Sequence, residues 1–281
     1  MTVYDPGQAE GHDPQLYVAD RTAGGIPDLD AIDDAAIERY RETGYLLIER
    51  LWSDEQVEQA REAVSDLIAG RNEQFNGLMY EAAAKQAKVE ELTEAQRCDL
   101  IRKLFNFVKH EPRLDRLAHD PPLLAAVRRL MNDEPKLYQD MALIKPPRIG
   151  REKPWHQDHA YFNVPLEHRI VGVWIALDEV DADNGAMHLI EGGHREPIIH
   201  FKQRDWQICD TEMLGRPAVV APMKPGGALL FDSLLPHGTP TNHSDRRRRA
   251  LQFHYLGETA PAIEQEQRLA VFGSEGKDVT C

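Results

Sequence analysis

The chain has 281 residues, and 33 Lys and Arg against 47 Asp and Glu give it a net charge of −14. A hydrophobic content of 42% with 28% charged residues is the composition of a globular chain with one sizeable core and excludes wholesale disorder. The acidic balance excludes nucleic acid and anionic membrane surfaces as favoured partners, and the longest apolar stretch, Ile170 to Leu177, is far shorter than the roughly 20 residues that span a bilayer.

The opening Met-Thr-Val-Tyr-Asp-Pro has neither the basic start nor the apolar run of a secretory signal, so a soluble, cytoplasmic protein is expected. Residues 1–30, rich in Asp, Gly and Pro, read as an extended or poorly ordered arm. Apolar positions Leu29, Ile32, Ala36, Ile37 and Tyr40 recur at helical spacing up to Gly44, and Gly44 to Leu51 reads as a short buried strand. Ser53-Asp-Glu-Gln56 is a capping box, opening a helix with Val57, Ala60, Val64 and Leu67 on one face and Gly70 at its end. A second box, Thr93-Glu-Ala-Gln96, predicts a helix through Leu100, Leu104 and Val108, ended by Pro112. A third helix is expected from Pro121 to about Met131. Beyond residue 135 the texture becomes β: segments 136–145, 170–180, 218–222, 228–233 and 249–256 are short, β-branched or aromatic, and separated by Pro and Gly. The expected fold class is therefore α+β with a mainly β core, a sandwich or jelly roll with helices packed on it. One integrated domain is expected over residues 1–281, with arm 1–30, a mainly helical part 31–135, a β core 136–256 and a C-terminal extension 257–281. Cys98, Cys209 and Cys281 are too scattered for a disulfide framework or a zinc cage and read as reduced thiols.

Reactive side chains concentrate in Trp155-His156-Gln157-Asp158-His159. In an extended segment residues i and i+2 share a face, so His156 and Asp158 project together and Gln157 points away. An imidazole beside a carboxylate can hold two adjacent positions on an octahedral metal, and His237, at a turn after an apolar strand, is the candidate third ligand of a facial triad. In Arg246-Arg-Arg-Arg-Ala-Leu-Gln-Phe-His-Tyr255, alternation sends Arg248, Ala250, Gln252 and His254 to one face and Arg249, Leu251, Phe253 and Tyr255 to the other. An inward guanidinium is costly unless it meets an anion, and a planar carboxylate suits its fork.

Several motifs in order, Ile144-Lys-Pro-Pro147, His156-Gln-Asp158, Trp174-Ile-Ala-Leu177, Asp183-Asn-Gly-Ala-Met187, His237-Gly238, Asn242 and Arg248, resemble the phytanoyl-CoA dioxygenase family of non-haem iron(II), 2-oxoglutarate-dependent oxygenases. The resemblance runs from about Lys103 to Tyr255. It implies a double-stranded β-helix, that is, a jelly roll flanked by N-terminal helices, with Fe(II) held by His156, Asp158 and His237. It implies further that 2-oxoglutarate pairs through its distal carboxylate with Arg248 and is contacted by Lys103, Met141, Trp174 and Thr239. O2 is the second co-substrate, and the implied reaction hydroxylates an unactivated C–H bond of a small molecule with release of succinate and CO2. Retention of the Asp158 carboxylate favours hydroxylation or another oxidation over halogenation. Where the family commonly has Pro-Gly-Ser-His, this chain has Glu191-Gly-Gly-His194, which leaves the role of His194 open. The remaining histidines, among them His188, His200, His243 and His254, are expected in structural roles.

By adjacency in sequence, Trp155, His159, Tyr161, Phe162, Arg204 and Trp206 are candidates for the substrate pocket, and they suggest a polar or anionic small molecule. Two other readings remain open at this point: a cupin-like metalloenzyme that uses no 2-oxo acid, and a non-catalytic jelly-roll binding protein. The charge is uneven. Residues 1–40 carry nine acids and two bases, whereas Lys145 to Lys153 (net +3) and Arg246 to Arg249 (+4) predict a basic rim around the metal site. No pattern sets the oligomeric state.

Overall fold

Alternation along the strands decides what each face of the main sheet meets. In the computed structural model, which describes residues 2–6, 11–87 and 91–273, the N-terminal arm carries β1 (Val3–Tyr4), β2 (Arg21–Thr22) and β3 (Gly25–Ile26). Then come α1 (Asp34–Thr43), β4 (Tyr45–Ile48), α2 (Asp54–Ala69), β5 (Leu78–Tyr80), α3 (Glu94–Cys98), β6 (Ile101–Phe105), α4 (Pro112–Ala118) and α5 (Pro121–Met131). The second half contributes β7 (Pro135–Lys145), β8 (Lys153–His156), β9 (Ile170–Ala176), β10 (Met187–Leu189), β11 (His200–Lys202), β12 (Trp206–Ile208), α6 (Asp210–Met213), β13 (Val219–Ala221), β14 (Ala228–Asp232), β15 (His237–Thr239), β16 (Arg248–Gly257) and α7 (Gln265–Phe272).

A major sheet has the order β1-β5-β6-β7-β16-β9-β14-β4-β3, and a minor sheet the order β2-β13-β10-β15-β8. One face of the major sheet, with Val171, Val173, Ile175, Leu251, Phe253 and Tyr255, packs on α1, α2, α4 and α5 in a single apolar cluster. The opposite face, with Trp174, Ala176, Leu229, Phe231 and Ala250, packs on Met187, Leu189 and Ala221 of the minor sheet. This is the expected jelly roll with helices on its outer face. The period-two split of β16 falls as the sequence predicts. Gly172 is needed where Phe231 crosses it, since a Cβ there would lie 2.5 Å from the Phe231 ring.

Helix ends follow their sequence signals. Ser53 and Gln56 form the capping box of α2, Gly44 and Gly70 take left-handed conformations after α1 and α2, and α5 spans Pro121 to Met131. Three expectations are corrected. Residues 1–30, where described, are pinned rather than loose: β1, β2 and β3 pair in parallel with β5, β13 and β4, Leu16 is buried, and Tyr17 stacks on Trp155. The helix capped by Thr93 ends at Cys98, because Ile101–Phe105 pairs with β5 and β7 instead. That strand buries Arg102 against Glu81 and Asp5, a stabilisation that the apolar period of Leu100, Leu104 and Val108 does not reveal. Pro112, finally, starts α4 at its first turn instead of ending a helix. The nominally helical part, residues 31–135, therefore also supplies three strands of the major sheet. Cys98 and Cys209 are free thiols, and Cys281 lies outside the described residues.

Candidate active site

Strand β8 ends at His156. Gln157 keeps extended backbone, and Asp158 opens a turn of 3-10 helix through Tyr161. Gln157 points away, donating from its amide to the carbonyls of Glu196 and Leu234 and accepting from the Ile198 N–H. His156 and Asp158 consequently share a side although only His156 belongs to a strand. His237 on β15 lies directly across from His156 in the antiparallel register, with ring centroids 4.2 Å apart. One donor atom from each of His156, Asp158 and His237 falls within 4.8 Å of the others, and all three residues are buried.

The imidazoles are set for ligation. Nδ1 of His156 donates to the Pro154 carbonyl at 2.8 Å, and Nδ1 of His237 donates to that of Leu235 at 2.9 Å. Each ring therefore turns an Nε2 lone pair inward, the tautomer that a metal requires. Burial, with His237 alongside, pushes the His156 pKa down to about 3, and burial lowers that of His237 as well. Burial would raise the Asp158 pKa, but His237 and His254 hold its carboxyl well below the usual range. Two neutral imidazoles and one carboxylate form a donor set that fits Fe(II) and leaves octahedral positions open.

The triad faces a cavity of about 200 Å³. Its far wall is built by the major sheet: Lys103 on β6, Met141 on β7, Trp174 on β9 and Arg248 on β16; Thr239 lines it from β15. The Arg248 guanidinium sits 5.3 Å above the Trp174 ring. It donates from Nη1 to the Leu143 carbonyl, and its buried Nε has no partner. Burial pushes its pKa down to about 9. Lys103 is pushed to about 7 by burial and by the charges of Lys153 and Arg102. A buried fork with an orphaned N–H, opening on a cavity, fits a carboxylate of a bound anion.

The sequence-adjacent candidates divide. Tyr161 and Phe162 line the cavity; Trp155, His159, Arg204 and Trp206 do not. The turn at Asp158 sends His159 backwards, between the Ser233 hydroxyl and the Val164 carbonyl. Arg204 is held by Glu152 and Asp210, Trp155 donates to the Leu16 carbonyl under Tyr17, and Trp206 packs behind Tyr161, whose hydroxyl donates to the Trp206 carbonyl. His194 ties the 192–195 turn to α1, donating from Nε2 to the Arg41 carbonyl.

The basic rim holds only in part: Lys145, Arg151, Lys153 and Arg248 line the cavity, but most charges of the two runs are paired. Arg148 pairs with Asp245, Arg151 with Asp5, Lys153 with Asp205, Arg246 with Asp181, Arg247 with Asp99 and Arg249 with Asp178. Among the described residues of these two basic runs, only Lys145 and Arg248 lack a carboxylate. Lys145 is spent on carbonyls: its Nζ donates to Arg151 and Pro240, and Asn242 fastens the same turn by donating to Lys145, Pro146 and Arg246. The Asn184-Gly185 turn packs on it, and Gly185, at φ +95°, approaches to where a Cβ would lie 2.6 Å from Lys145 Cδ. Sequence reasoning passed over Phe105, Gln139, Met187 and Gln252 as cavity residues. It also left His254 in a structural role, whereas His254 contacts Asp158. The inward face of β16 carried the signal for Gln252 and His254 alike.

Comparison with known proteins agrees with this geometry. The profile of the family Phytanoyl-CoA dioxygenase (PhyH) matches residues 40–250. Phytanoyl-CoA dioxygenase domain-containing protein 1 of Danio rerio is 27% identical over 267 residues, covering 81% of this chain and 91% of its own. Ectoine dioxygenase of Sphingopyxis alaskensis is 30% identical over 234 residues, covering 76% of this chain and 71% of its own. The crystal structure of SnoK, a non-heme alpha-ketoglutarate-dependent carbocyclase of nogalamycin biosynthesis, shares the fold with a TM-score of 0.66 at 21% identity, covering 92% of this chain and 97% of its own. The match over most of its length places the chain in the phytanoyl-CoA dioxygenase family, as an Fe(II)- and 2-oxoglutarate-dependent dioxygenase.

Proposed function

We propose that the chain acts as a single catalytic domain that hydroxylates an unactivated C–H bond of a small molecule, coupled to oxidation of 2-oxoglutarate to succinate and CO2. One observation carries the reading: a His-Asp-His cluster and a buried guanidinium without a carboxylate line one cavity together. His156, Asp158 and His237 would hold Fe(II), which when bound supplies O2 activation for the oxidative step. Arg248 receives the distal carboxylate of 2-oxoglutarate, with Lys103 adding charge and Thr239 a hydroxyl, while Trp174 and Met141 fix the plane of the carbon chain. Phe105, Phe162 and Met187 exclude water from the reacting C–H. Tyr161 and Gln139 offer the polar contacts that would orient a substrate with hydrogen-bonding groups.

The named relatives differ in what they act on, ectoine in one case and phytanoyl-CoA in another family member, so the cavity lining is the better guide to substrate. A polar small molecule fits it, since Tyr161 and Gln139 stand among apolar side chains. An enzyme of the cupin type, without a 2-oxo acid, would leave Arg248 with no purpose, and a non-catalytic binding protein would not need the complete triad beside it. The test is to incubate Fe(II)-loaded protein with 2-oxoglutarate and O2 and measure succinate. Turnover that requires both Fe(II) and 2-oxoglutarate, and that is lost in Arg248→Ala, is expected. Undiminished activity in Arg248→Ala would defeat the assignment.

A further inference from the structure

Gln252 and His254 follow Arg248 on the inward face of β16, and both are buried, His254 completely. His254 Nε2 lies 2.8 Å and Gln252 Nε2 2.9 Å from one and the same oxygen, Asp158 Oδ2. The other imidazole nitrogen, His254 Nδ1, is buried without a partner, and the ring packs against Phe162 and Phe231. An N–H at that position would go unmet, which is costly in a buried site. The ring proton therefore belongs on Nε2, where it is donated to Asp158. Turning the Gln252 amide over would press its oxygen against the carboxylate, so its NH2 also faces Asp158.

Distance alone does not choose which carboxylate oxygen faces a metal: Oδ1 lies 3.3 Å from His156 Nε2, and Oδ2 lies 3.6 Å from His237 Nε2. The hydrogen bonds do choose. Both donors reach Oδ2 from one side, their nitrogens 3.0 Å apart, which makes Oδ2 the hydrogen-bonded oxygen and leaves Oδ1 the freer one for a metal. We propose that Gln252 and His254 are positioning residues that hold Asp158 to the metal through Oδ1 alone, so that the carboxylate takes one coordination position instead of two. With two imidazoles, this leaves three positions, the number that a chelating co-substrate and O2 need together. The inference rests on the metal site proposed above and adds to it what keeps that site open.

The experiment is Co(II) binding to the metal-free full chain, followed by visible absorption and chelator competition, with thermal unfolding of each metal-free variant alongside. His254→Leu should weaken Co(II) binding about 10- to 100-fold and change the ligand-field band as the carboxylate becomes free to chelate. His254→Gln, whose amide can reach the same oxygen, should recover most of the affinity and the wild-type band; a purely packing role would not distinguish Gln from Leu in this way. Gln252→Leu should weaken binding in the same direction, and it carries the test should His254→Leu fail to fold. Wild-type affinity and spectrum in either Leu variant that folds, or a His254→Gln variant no better than His254→Leu, would overturn the proposal. His156→Ala separates the two readings. If it leaves wild-type Co(II) binding intact, or if the wild-type chain binds none, the metal site itself is wrong. If it abolishes binding while the Leu variants are silent, only the role of Gln252 and His254 falls.

Discussion

The two sheets furnish opposite walls of one cavity, and they treat polar groups in opposite ways. On the minor sheet, His156 and His237 have their outer nitrogens satisfied by backbone carbonyls, and their inner ones converge with Asp158. On the major sheet, Arg248 meets one carbonyl and no carboxylate, although its neighbours Arg246, Arg247 and Arg249 all have acidic partners. The first wall is complete except for a cation, and the second is complete except for an anion. The strands that carry them differ to match. β8 and β15 are short and braced from behind by the arm, with Tyr17 against Trp155 and Gly238, while β7 and β16 are long, β16 being buried almost throughout and β7 in its second half. A wall that must only supply lone pairs can be small, whereas one that buries an uncompensated charge needs a thick apolar backing.

Five substitutions and one titration test this contrast, from the largest expected effect to the smallest. His237→Ala should abolish Fe(II)-dependent turnover and lower metal affinity by more than the ~100-fold reached by changes outside the ligand set, read by metal titration. Arg248→Met should weaken 2-oxoglutarate binding by about 2–5 kcal/mol, seen as a raised KM. The metal-free protein should unfold at the same or a higher temperature, because an unpaired buried charge has been removed. A fall in that temperature would mean that the major wall is not the strained one. Leu16→Ala should cost about 2–4 kcal/mol in stability and loosen metal binding, since the arm backs β8; denaturant midpoints and metal titration measure both. Lys103 sheds its proton at about 7 in the folded chain, against 10.5 ordinarily. Stability should therefore rise with pH across that window, while 2-oxoglutarate affinity falls as the charge is lost. Lys103→Met should flatten both profiles. Ser53→Ala, on the capping box of α2 and outside the cavity lining, should cost about 1 kcal/mol and leave KM unchanged.

The sequence made the chemistry more legible than the surroundings. The triad and Arg248 could be picked out because strand alternation is local: each residue's face follows from its neighbours. The pocket lining could not, because it depends on where the chain leaves the strand. Reading onward from Asp158 as a strand places His159 near the cavity, but the 3-10 turn reverses it onto Ser233. Arg204 shows the same limit, since Glu152 and Asp210, its partners, are remote in sequence or hidden in another element. β6 was misread as helix because its apolar spacing fits both periods, and the buried Arg102 that settles the matter is paid for by Glu81 and Asp5, some 20 and 97 residues away.

The arm imposes an order on folding. Arg21 and Thr22 pair with Val219 and Val220, and the indole of Trp155 donates to the Leu16 carbonyl. These partners lie in the second half of the chain, far in sequence from the arm. Its docking there is thus a late event with high loop-closure entropy, and the minor sheet is last to gain its full support. In a newly made chain the arm strands β1 and β3 can pair with β5 and β4 early, whereas the contacts that brace the minor sheet wait for β8 and β13, so firm metal capture belongs after they form.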